Sequence, residues 1–116
     1  MAEKLCKLRK KGGGQTLPDH FDIQAYLGSG SSPYASAALR VDYNMIFPKY
    51  KQVKYELMEG TVYTCNMRNV SVGTDTPITT SWTDFPNTMK TGSGDIRFAV
   101  STQVKNKITR VRIHLQ

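Results

Sequence analysis

Arg110, Arg112 and His114 recur two residues apart near the carboxyl end, with Val111, Ile113 and Leu115 interleaved. On a strand, side chains two apart share a face at roughly 7 Å spacing, so these three form a cationic row matched to successive phosphates. Lys105 and Lys107 extend it. A second cluster, Lys4, Lys7, Arg9, Lys10 and Lys11, precedes Gly12-Gly13-Gly14. The chemistry both suggest is neutralisation of a polyanion rather than bond making. Two plainer roles compete for the strand row: charges that guard a sheet edge, and partners for acidic neighbours. With 16 Lys and Arg against 9 Asp and Glu, a formal charge of +7, full internal neutralisation is not expected. All ten positions are therefore read as nucleic-acid contacts, to RNA or DNA.

Covalent and metal chemistry find little support. His20 and His114 belong to no HxH or HExxH pattern, and Cys6 and Cys65 form no CxxC pair. There is no GxSxG elbow. Asp42, Glu56 and Asp84 read as solvated strand or turn residues, and Gly28-Ser29-Gly30-Ser31-Ser32-Pro33 lacks the Gly-Lys-Ser/Thr ending of a phosphate loop. No enzyme, metal, cofactor or small-molecule substrate is expected. Two isolated thiols also argue against a secreted disulfide framework, so synthesis inside a cell, as a soluble product, is expected. Cys65 reads as a buried apolar residue, and Trp82 beside Phe85 as a core plug.

The elements that must hold these residues are strands. Around Tyr50 to Val72, Val53, Tyr55 and Leu57 alternate with polar residues, and after Met58-Glu59-Gly60 so do Tyr63, Cys65 and Met67. This predicts a central hairpin, with a bulge near Arg68 and Asn69, where the apolar positions switch from odd to even. Further strands are expected at Phe21 to Leu27, from Ala35 to Phe47 with a helical turn near Ala35, at Ile78 to Trp82, from Ile96 towards Val104, and over the last residues. The fold class is all-β: about six antiparallel strands in a small sandwich or barrel, one domain over 15–116, after a flexible basic arm over 1–14. The length is short for an eight-stranded jelly roll. No apolar run is long enough to span a bilayer, and no signal peptide is recognisable.

A basic terminus, a glycine hinge and short strands joined by polar loops resemble the organisation of small viral coat or matrix proteins. That resemblance implies self-association, nucleic-acid packaging and a place in a virion. Two other functions fit the same residues. One is a small-barrel module for single-stranded nucleic acid, stacking bases on Tyr26, Tyr34, Tyr50 or Trp82. The other is a peripheral protein on an acidic membrane surface, attracted by the five cations of the arm with Leu5 and Leu8 beside them.

Overall fold

The computed structural model of the chain describes residues 19–116 and, as backbone, residues 4–8. Nine strands account for most of it: β1 (Lys4–Leu8), β2 (His20–Leu27), β3 (Ala35–Val41), β4 (Gln52–Glu59), β5 (Thr64–Asn69), β6 (Asp75–Pro77), β7 (Thr83–Asp84), β8 (Ile96–Thr102) and β9 (Lys107–Leu115). One helical turn, α1 (Tyr43–Ile46), and a 3-10 turn, Asn87–Met89, complete it. From β2 onward the antiparallel pairing is nested: β2 with β9, β3 with β8, β4 with β7, and β5 with β6. This is one long ribbon folded over on itself. It wraps into two sheets, ordered β2-β9-β4-β7 and β1-β3-β8-β5-β6. Apart from β1, which lies parallel to β3 at the edge of the second sheet, this is the strand order of an eight-stranded jelly roll. The expected all-β fold is present, as a sandwich rather than a barrel and with more strands than six.

Period-two alternation builds the core. Ile23, Ala25, Val53, Val111, Ile113 and Leu115 face inward from one sheet, and Ala37, Val41, Cys65, Met67, Ile96, Phe98 and Val100 from the other. Each large side chain among them contributes about 2 kcal/mol by leaving water. Phe21 meets Phe98 edge-on with ring centroids 5.3 Å apart, tying β2 of one sheet to β8 of the other.

Five expectations are corrected. The central hairpin does not form, because β4 and β5 belong to different sheets. Gly60, with φ of 80°, sits where a side chain would collide with Ile108 and Thr109, and from there the chain crosses between the layers. The bulge lies at Leu57/Glu59 against β9, whereas Arg68 and Asn69 stay in unbroken register with β8. Asn69 simply places a polar side chain inward. The strand from Ala35 stops at Val41, and the helical turn lies beyond it, at Tyr43–Ile46. Met45, Ile46 and Phe47 are consecutive and all buried, which alternation cannot achieve and a helical turn can. No strand forms over Ile78 to Trp82; Ile78 and Phe85 enter the core while Trp82 stays at the surface, 36% exposed. Finally, part of the expected flexible arm, Lys4–Leu8, is a strand that covers the edge of β3.

Candidate nucleic-acid interface

β9 is an interior strand, between β2 and β4, so its cations do not guard an edge. Arg110, Arg112 and His114 do share its outward face, as the alternation requires, but carboxylates from both neighbours flank them. Asp22 on β2 stands directly across from Arg112 and accepts from Arg112 Nε at 2.7 Å and Nη2 at 3.2 Å, and from Arg110 Nη1 at 3.0 Å. Glu56 on β4 lies 2.9 Å from His114 Nε2. The hydrogen bond from Arg112, and then that from Arg110, holds the Asp22 carboxyl below its ordinary range against the opposing effect of burial; the same contact raises the Arg112 pKa. Pairing with acidic neighbours, one of the two plainer roles weighed for this row, is thus present, with Arg110 and Arg112 sharing one carboxylate.

The other expected contacts are dispersed. Lys105 Nζ donates to the Gly30 carbonyl at 2.7 Å, and Lys107 lines an open depression with Tyr26 and Glu59. Lys4 and Lys7 lie on β1, with Lys7 in register with Arg40. Arg9, Lys10 and Lys11 lie outside the described residues.

Strand order also assembles a row that sequence reasoning missed. Arg40 on β3, Arg97 on β8 and Arg68 on β5 are direct cross-strand partners on the outer face of the second sheet. Arg40 Nη2 donates to Asp95 at 2.8 Å, and Arg68 grips Asp75 through Nε and Nη2 at 2.7 and 3.1 Å. Burial lowers the Arg97 pKa. These three residues are far apart in the chain, and nothing in local spacing links them.

Aromatic side chains outside the inter-sheet core divide between surface and end cleft. Trp82, expected in the core, instead lies on the first sheet with Lys54 Nζ 4.9 Å from its ring centroid and the His114 ring 6.4 Å away. His114 in turn lies 5.9 Å from His20. Tyr26 and Tyr34 are exposed, whereas Tyr50 is buried. Beside Tyr50, the exit of α1 and the start of β4 enclose a cleft of about 400 Å³ lined by Tyr43, Phe47 and Tyr50, with Lys51, Lys90 and Asp84 around it.

No group of three or more His, Cys, Asp or Glu residues able to hold a metal occurs among the described residues, and no helix there is long and apolar enough to cross a membrane. Comparison with family models, with curated proteins and with solved structures finds no match to the chain.

Proposed function

We propose that this chain is a non-enzymatic structural protein that self-associates and packages nucleic acid, in the manner of small viral coat or matrix proteins, with a place in a virion. The observation that carries the reading is the nested pairing of β2 to β9, since the jelly roll is an architecture of capsid domains. That argument is an analogy of fold, because lectins and cupins share the architecture. Charge supports it independently. Asp22, Glu56, Asp75 and Asp95 are occupied by the cations of the two sheet faces. Five of the 16 Lys and Arg fall within Lys4 to Lys11, a stretch with no acidic residue. Self-association has a ready surface in β2, whose eight residues bond to β9 on one side and meet no described strand on the other.

The small-barrel alternative loses its architectural support, since two separate sheets do not close into one barrel. In the membrane alternative Leu5 and Leu8 lie on an extended segment, a weak basis for insertion. Light-scattering mass combined with the ratio of absorbance at 260 and 280 nm tests the proposal. A large nuclease-sensitive assembly is the expected result; a small monomer free of nucleic acid would overturn it.

A further inference from the structure

We infer that the cleft beside α1 binds one nucleotide unit of a nucleic-acid strand, with the base against its aromatic wall and the phosphate between Lys51 and Lys90. The inference rests on the packaging reading but assigns the contact to a particular place.

The wall is built before any ligand arrives. Tyr43 and Phe47 rings lie 5.0 Å apart, and Phe47 is held edge-on by Phe85, also at 5.0 Å. Tyr50 is 4% exposed, its hydroxyl lies 3.2 Å from Asp19 Oδ1, and the Lys49 ammonium sits 5.0 Å from its ring centroid. Rings fixed in this way lose little freedom when a base stacks on them. The volume of about 400 Å³ falls within the range of small-molecule sites and admits a base with its sugar.

Charge selects the ligand class. Lys51 and Lys90 are exposed and make no ion pair with a described carboxylate, whereas the arginines Arg40, Arg68, Arg110 and Arg112 all do. Asp84 is held by Gln52 Nε2 at 2.8 Å and offers an acceptor suited to the exocyclic amine of a base. Two other depressions among the described residues are less suited to phosphate. One is flanked by Asp42 and Asp95, and the second sets Lys107 against Glu59.

The test titrates the full chain and a Lys51→Ala/Lys90→Ala variant with two probes. One is a fluorescein-labelled single strand of about ten nucleotides; the other is 2-aminopurine riboside monophosphate, whose emission is quenched by stacking. The double variant is expected to bind the strand roughly tenfold more weakly, with the slope of log K against log salt reduced by about 0.7 for the one phosphate no longer neutralised. Tyr43→Ala is expected to abolish quenching and leave the slope unchanged. Because both cleft lysines are exposed, their replacement keeps the fold, which thermal melting verifies. If the strand binds the full chain and the double variant retains affinity and slope, the cleft assignment is overturned while nucleic-acid binding stands. Quenching of the nucleotide without strand binding supports the cleft and overturns packaging. Neither binding nor quenching overturns both.

Discussion

Asp22 takes three hydrogen bonds from two guanidinium groups, so a single carboxylate governs the outward row of β9. Asp22→Asn is expected to cost about 1 kcal/mol at neutral pH, the upper end for a partly exposed pair because the contact is bidentate. Since the folded-state pKa of Asp22 is depressed, its contribution is present above the unfolded value of 3.8 and lost as pH falls through the folded one. Urea unfolding at descending pH should therefore show the difference between wild type and variant closing in acid. Releasing Arg110 and Arg112 should also raise affinity for a polyanion. Cys65 shows the opposite sign: burial pushes its thiol from 9.0 up to about 12. Between those values the unfolded chain loses a proton that the folded chain keeps, so stability declines as pH rises through this window. In a Cys6→Ser background, Cys65 should resist a thiol reagent at pH 8 until denaturant is added, a pH about one unit below the ordinary thiol pKa.

At the scale of elements, the end of β5 and the loop entering β8 are joined by one buried amide. Asn69 Nδ2 donates to the Met89 carbonyl at 3.0 Å, Thr91 Oγ1 at 3.1 Å and the Ser93 carbonyl at 2.9 Å, while Oδ1 accepts from the Ser71 amide at 2.9 Å. Asn69→Ala leaves these groups without their partner and is expected to cost about 2–4 kcal/mol, read as a shift in urea midpoint at constant m-value. Asn69→Asp offers no remedy, because it turns a carboxylate towards carbonyl oxygens. Gly94 belongs to the same joint: its φ is 93°, and a methyl group there would run into Asn69 Oδ1 and Ser71 Oγ. Gly94→Ala is thus expected to destabilise the protein in the same assay, from both backbone strain and collision. A polar residue at an inward position carries this junction, and in the sequence it looks like a register slip.

For the whole molecule, the nested pairing of β2 to β9 closes without β1. Removing residues 1–11 takes away the five cations Lys4, Lys7, Arg9, Lys10 and Lys11, together with the strand on the edge of β3. The expected outcome is a protein that keeps its strand circular-dichroism signal and cooperative melting but retains severalfold less nucleic acid, measured as the fall in the 260 to 280 nm ratio of purified material. Loss of folding would instead assign β1 a structural task. The cleft depends on this same global wrap, since Tyr43, Lys51, Asp84 and Lys90 come from four separate stretches that meet only at one end of the sandwich.

Alternation by itself determined which side chains face inward: Val111, Ile113 and Leu115 are buried, and Arg110, Arg112 and His114 point out, as period two demands. That information is local, because a strand's pleat fixes each side chain relative to its neighbours whatever the strand pairs with. Only the tertiary structure decided which strands lie side by side. The 90-residue separation of Asp22 and Arg112, the Arg40-Arg97-Arg68 row and the crossing of β4 and β5 into different sheets all follow from the nested wrap. Pairing is chosen by collective burial of both inner faces, a property of the assembled sheets that no single stretch of the chain contains.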